Sequence, residues 1–239
     1  MVEETWAKRF SSEGVPLDSF WMPFTDNRSF KKRPKLFTSA DGMHYKSDQD
    51  KLLLDATAGL WCVNAGHGRH RIKEAIRETA AVMDFAPTFQ LGHPLPFRLA
   101  DELKRLMPVG LDRIFFTNSG SESADTALKM ALAYHQARGD NGRFRLIGRE
   151  RAYHGVNFGG MSVGGMGGNR RHHSAHVWGV DHLSHTHRGA VRFNRGLQPS
   201  NDDLASQLED LIALHGPDTI AAVIVEPIAG STGVLLPPV

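Results

Sequence analysis

The sequence predicts an α/β protein: a mainly parallel sheet with helices on both faces, preceded by a small irregular and antiparallel N-terminal segment. Three observations predict it. Beyond about residue 68, short apolar runs alternate with stretches of helical spacing, the pattern of parallel strands joined by crossover helices. Before residue 60 the chain is irregular and its short apolar runs are separated by turn residues. The whole is 239 residues, 41% hydrophobic and 23% charged, enough apolar material for a core.

Taken in order, Trp21–Phe24 (WMPF) is aromatic and broken by proline. From Lys35 to Ala56, apolar runs alternate with turns at Asp41-Gly42 and Ser47–Asp50, which reads as an antiparallel meander. Ile72, Ala75, Ile76, Thr79 and Ala80 then fall at helical spacing, as do Leu95, Leu99, Leu103 and Leu106. Arg113–Thr117 (RIFFT) reads as a strand leading into a helix from about Gly120 to Arg138. Phe144–Ile147 is the next expected strand. A helix from about Asp202 to His215 precedes a buried interior strand at Ala221–Val225. Ligands collect at the carboxyl ends of the strands in such sheets.

At one such end stands Asn118-Ser119-Gly120-Ser121-Glu122, followed at once by a helix whose apolar stripe is Leu128, Ala131, Leu132 and His135. Ser119 and Glu122 have capping-box spacing, each side chain satisfying an amide at the helix start. Gly120 admits close approach, and free amides with the positive end of the helix dipole make an anion site. The local pattern leaves two readings open, a helix cap without a ligand and a phosphate cup. A nucleotide P-loop is disfavoured because no G-x-x-x-x-G-K-[ST] occurs, and the dinucleotide fingerprint is also missing.

Composition narrows the classes further. A formal net charge of +2 advertises no nucleic-acid surface, and Lys31–Lys35 (KKRPK) reads as a solvated connector. No apolar run is long enough to cross a bilayer. The N-terminal residues Glu3, Glu4, Lys8 and Arg9 do not make a secretory signal. The single cysteine, Cys62, excludes an internal disulfide framework and suits a reducing, cytoplasmic setting; its apolar surroundings predict a buried thiol. His172, His173, His176, His182, His185 and His187 are irregularly spaced on an expected loop, so no metal site is predicted. The glycine-rich stretch Gly160–Gly168 reads as a flexible surface connection, with Arg170 and Arg171 facing solvent.

Phe115–Ala131 (FFTNSGSESADTALKMA) resembles the cofactor-phosphate segment of the class III pyridoxal-phosphate (PLP) aminotransferases. The resemblance continues in Arg151–Gly155 (RAYHG), Ala221–Pro227 (AAVIVEP), Gly59-Leu60-Trp61, the Gly66-His67 turn and Gln90–Pro94 (QLGHP), and runs from about Phe20 to Pro238. It implies a PLP-dependent transferase of fold type I, with residues 1–60 belonging to the small domain and 61–239 to the PLP-binding domain, both incomplete. Ser119, Gly120 and Ser121 would bind the cofactor phosphate. Tyr153 would stack on the pyridine ring, with His154 and Gly155 completing its motif, and Glu226 would stand near the ring. Phe24, Leu60 and Trp61 would line the substrate pocket, with Phe89 reaching the pocket of a neighbouring subunit in a homodimer.

Details such as Q-x-G-H-P and Y-H-G-V-N favour the branch that moves an amino group from β-alanine, another ω-amino acid or an amine to pyruvate. Other members, such as a 4-aminobutyrate transaminase, and a truncated non-catalytic product remain as alternatives. No lysine follows Lys129, and Lys129 lies on the helix behind the cup. The family's Schiff-base lysine and its aspartate partner for the pyridine nitrogen are therefore missing. Ala221–Val225 would then lack strand neighbours and leave a sheet edge open, and the 239-residue chain alone is expected to be inactive and to fold poorly.

Overall fold

A computed structural model describes residues 10–173, 175–187 and 203–238. Glu3, Glu4, Lys8 and Arg9, and the expected helix start at Asp202, lie outside the described residues. The chain divides into two compact units, Met1–Leu99 and Ala100–Val239.

In the first unit, Asp26 caps the short helix α1 (Asn27–Lys32), its side chain accepting from the Ser29 amide. The expected meander follows as β1 (Phe37–Asp41), β2 (His44–Ser47) and β3 (Leu52–Leu54), antiparallel in that order. Asp41-Gly42 makes the first turn, with Asp41 paired to His44. The stacked rings of Phe37 and Tyr45, with centroids 4.4 Å apart, tie β1 to β2 as cross-strand aromatic pairs do. The helix after it, α2 (His70–Val82), and α3 (Pro94–Lys104) match the two periodic stretches. Their apolar stripes form but are left open, since Ile72, Ile76, Leu95 and Leu99 are all exposed.

The second unit holds the parallel sheet. The helix α4 (Gly120–Ala137) leads to β4 (Arg145–Arg149). Then come α5 (Phe158–Val163), α6 (Gly167–His172), β5 (Val180–Leu183), α7 (Asp203–His215) and β6 (Ile220–Val223). The strand order is β5-β4-β6, all parallel. The core lies where α4 and α5 meet β4: Leu128, Leu146 and Val163 are buried and pack with Val180, Ala221, Ala222 and Ile224. His135, on the stripe of α4, faces the Ala221 carbonyl with its Nε2 at 2.9 Å. Among the described residues no helix is long and apolar enough to cross a membrane.

Several expectations are corrected. Arg113–Thr117 forms no strand; β propensity alone cannot make one without a ladder partner, and Phe115 and Phe116 stay exposed. At Ala221–Val225 the outcome agrees with expectation: among the described residues β6 pairs only with β4, and an interior-type strand without its second neighbour leaves the sheet edge open. Gly160–Gly168 is a surface connection only at its far end, where Gly167 and Gly168 are exposed; Gly160, Met161, Ser162 and Val163 are buried in α5. The missing side chains there serve close packing, because a Cβ on Gly160 would stand 2.1 Å from the His154 carbonyl oxygen. Arg170 turns inward and donates to the Met161, Ser162 and Gly164 carbonyls at 3.3, 2.6 and 3.0 Å, closing the end of α5 as basic side chains do. His182 lies on β5 rather than a loop, and Cys62 is exposed.

Candidate active site

The second unit brings the cup, the Tyr-His-Gly motif and Glu226 together. Ser119 is the N-cap of α4, in extended conformation, and its hydroxyl accepts from the Glu122 amide at 3.1 Å. The Glu122 carboxylate reaches back to the Asn118 amide at 2.9 Å and the Asn118 side chain at 3.1 Å. The capping box is therefore closed one residue earlier than its usual form. Around it, the Thr117 and Ser123 hydroxyls lie 2.5 Å apart, one donating to the other, and each stands 3.1 Å from the Ser119 carbonyl, which accepts the remaining proton. With the cap satisfied in this way, the amides of Gly120 and Ser121 have no protein acceptor among the described residues. The space above Gly120 is open. Two free amides at the positive end of an 18-residue helix are what a phosphate group requires.

Ser121 links the cup to the ring motif, its hydroxyl accepting from the Val156 amide at 3.0 Å. Gly155 makes that approach possible. Its φ is +98°, and a Cβ there would stand 2.5 Å from the Ser121 Cα. One residue earlier, His154 is partly buried and its Nε2 has no hydrogen-bond partner. Burial pushes its imidazole below the usual value, against the pull of Glu226 and with the help of Arg149 and His182. The neutral ring is therefore the stable form at neutral pH. Tyr153 is exposed on the same turn, and its amide donates to the Glu226 carboxylate at 3.0 Å. Arg149, at the end of β4, donates to the Glu226 carbonyl at 2.6 Å. Strand β4 thus aims both the turn and the carboxylate.

Two supporting residues escaped the sequence reading. The Asp125 carboxylate accepts from the Gly160 amide at 2.7 Å, fixing α5 against α4. Its position one helical turn after Ser121, on the same face, was the available clue. Arg149 gave none, because only the fold brings it within reach of Glu226.

In the first unit Phe24, Leu60, Trp61 and Phe89 are all well exposed. No ring contact or hydrogen bond among the described residues joins the four. Backbone conformation nevertheless singles out their segments. Phe24, Leu60 and Trp61 have φ of 52°, 56° and 73°, and Gln90, next to Phe89, has 61°. Left-handed backbone costs an L-residue roughly 1–2 kcal/mol, and such strain persists where the surroundings impose it, commonly at functional sites. Arg151, two residues before Tyr153, has φ of 62°; its amide donates to the Gly165 carbonyl at 3.1 Å and its guanidinium to the Thr232 carbonyl at 2.6 Å. Lys129 is exposed on α4. Among the described residues no three His, Cys, Asp or Glu side chains are grouped to hold a metal ion.

The aminotransferase class-III family matches residues 27–239. The chain belongs to the class III aminotransferase family. It is 60% identical over 223 residues to an omega-aminotransferase of Caulobacter vibrioides, covering 93% of this chain and 51% of that relative. Over 229 residues it is 46% identical to the beta-alanine–pyruvate aminotransferase of Pseudomonas aeruginosa, covering 95% and 51% respectively. An amine transaminase from an uncultivated Pseudomonas species, solved in its PLP-bound form, superposes with a TM-score of 0.83 at 34% identity, covering 92% of this chain and 50% of that one. The class III chain thus spans about half the length of the curated relatives it matches.

Proposed function

We propose that the protein carrying this sequence is a PLP-dependent transaminase that moves an amino group from β-alanine, another ω-amino acid or an amine to pyruvate. The observation that carries the reading is the pair of unpartnered amides at Gly120 and Ser121, tied to the Tyr-His-Gly turn through the Ser121 hydroxyl. These residues fit the cofactor: open space above Gly120 admits a phosphate, and the exposed Tyr153 ring offers the aromatic face that a flat ring stacks on. PLP, when bound, supplies the electron sink that an amino-group transfer needs.

In this reading Ser119, Gly120 and Ser121 hold the phosphate. Tyr153 covers the ring, with His154 and Gly155 shaping its turn. Glu226 fixes the Tyr153 backbone from the far side. Phe24, Leu60, Trp61 and Phe89 shape the space for the amine, Phe89 across a homodimer. The names of the two curated relatives, an omega-aminotransferase and a beta-alanine–pyruvate aminotransferase, support the substrate class. The division into a small domain at residues 1–60 and a cofactor domain from 61 to 239, and a cytoplasmic location, belong to the same proposal. With the amine nucleophile that PLP chemistry needs placed after Glu226, as the resemblance implies, a 239-residue polypeptide with no lysine after Lys129 is expected to be inactive by itself.

The test uses the full-length protein containing this sequence, supplied with β-alanine and pyruvate and assayed for alanine. Alanine is expected, and Ser121→Ala or Tyr153→Ala should weaken PLP binding at least tenfold. No alanine from β-alanine or from any amine donor would overturn the reading.

A further inference from the structure

Four consecutive residues, Ala58, Gly59, Leu60 and Trp61, have φ of 50°, 58°, 56° and 73°. The Trp61 amide donates to the Thr57 carbonyl at 3.0 Å and the Cys62 amide to that of Ala58 at 2.9 Å. The segment is therefore a single turn of left-handed helix, three of its four residues bearing side chains. Four-residue backbone bonds close a right-handed turn equally well, and L-residues prefer that hand. Something else must select the left one.

The neighbouring carboxylate does so. Asp55 accepts from the Gly59 amide through Oδ2 at 2.8 Å, and from the Thr57 amide and hydroxyl through Oδ1 at 3.2 and 3.3 Å. At Gly59 the turn is closely packed: a Cβ would meet Val63 at 3.1 Å and the Tyr45 hydroxyl at 3.2 Å. The Asp55 side chain is only 4% exposed and faces His67 Nε2 at 2.8 Å. His67 is itself fixed, since its amide and carbonyl pair with those of Gly42 at the β1–β2 turn and its ring meets the edge of Tyr45 at 4.5 Å. A continuous set of contacts thus runs from the meander through His67 and Asp55 to the turn. The Gly59 amide first and His67 second hold the Asp55 carboxyl down to about 2, so it stays ionised at working pH.

We infer that Asp55 is a positioning residue for the substrate side of the site: backed by His67, it imposes the left-handed turn and so sets where Leu60 and Trp61 stand against the amine donor. The inference rests on the reading that Leu60 and Trp61 face the substrate.

The test compares wild type, Asp55→Ala and Asp55→Asn in the full-length protein by hydrogen exchange and by amine selectivity. In Asp55→Ala, amides of residues 57–63 should exchange at least tenfold faster, while those of 117–131 are unchanged. The ratio of kcat/KM for β-alanine to that for an aryl-substituted amine should shift at least tenfold at unchanged PLP affinity. Asp55→Asn, which keeps an acceptor, should recover part of the protection. Should Asp55→Ala fail to fold, Asp55→Asn and His67→Asn carry the same comparison, with smaller shifts in the same direction. Unchanged exchange overturns the anchor. Faster exchange with an unchanged amine ratio leaves Asp55 a purely structural residue and overturns its role toward substrate. A wild-type protein that transaminates neither amine overturns the functional reading and the substrate half of this inference with it, while the exchange result still decides the anchor.

Discussion

The Ser121 hydroxyl serves two elements at once, accepting the Val156 amide while its proton stays available to a bound phosphate. Its loss in Ser121→Ala removes a charge-assisted donor, worth about 1.5–3 kcal/mol, and an acceptor for the ring turn. PLP titration followed by visible absorbance should therefore show a larger loss for Ser121→Ala than for Ser119→Ala. Ser119 acts chiefly as the cap of α4, and its replacement should lower stability by about 1 kcal/mol, read as a reduced midpoint in denaturant. Gly155→Ala should be worse than either for the turn, because left-handed φ and contact with the Ser121 backbone act together. The measurement is PLP affinity beside far-ultraviolet circular dichroism; unchanged affinity would show that the turn can shift without disturbing the cup.

Two partly buried histidines stand on elements of the second unit. Burial lowers the values of both His154 on the ring turn and His182 on β5. Around them stand Glu226 and Arg149 for the first, and Arg170, Asp181 and the Gly164 carbonyl for the second. When folding lowers a base's value, the native state binds fewer protons than the unfolded state. Its stability is then full above the ordinary value of 6.5 and falls as pH drops from there toward the folded values. Thermal unfolding of the full-length protein should show a midpoint that declines below pH 6.5 and then levels. The double variant His154→Asn, His182→Asn should flatten that decline; an equal slope in both proteins would assign it to other groups. The glycine-rich helix α5 contributes to this burial, since its backbone packs directly on the turn that carries His154 and the Gly164 carbonyl after it meets His182 Nε2 at 3.0 Å.

At the scale of the whole chain, apolar surface is left open. The stripes of α2 and α3 are exposed, as are Phe115 and Phe116, and among the described residues one edge of β6 is unpaired. Long apolar patches and open strand edges invite association. Expressed alone, the 239-residue polypeptide should aggregate at micromolar concentration, seen by light scattering, and should form no alanine from β-alanine and pyruvate. A monodisperse, active polypeptide would refute both expectations. Because α2 and α3 formed where the periodicity put them yet stayed uncovered, periodicity reports helix faces and not what covers them.

The sequence by itself determined the meander, the helices α2, α3, α4 and α7 and the helix cap at Ser119, because these depend on contacts within a few residues: alternation, helical spacing and a cap. It also carried the family, through motifs spread along the chain. Tertiary structure alone decided that Arg113–Thr117 lacks a ladder partner, that Gly160–Val163 is buried, and that Arg170 closes α5. It likewise decided that Glu226 holds the Tyr153 amide and that Asp55, with His67, imposes a left-handed turn on Ala58–Trp61. Each of these depends on groups far apart in sequence, or on a backbone hand that residue preferences oppose, and so becomes visible only when the chain is folded.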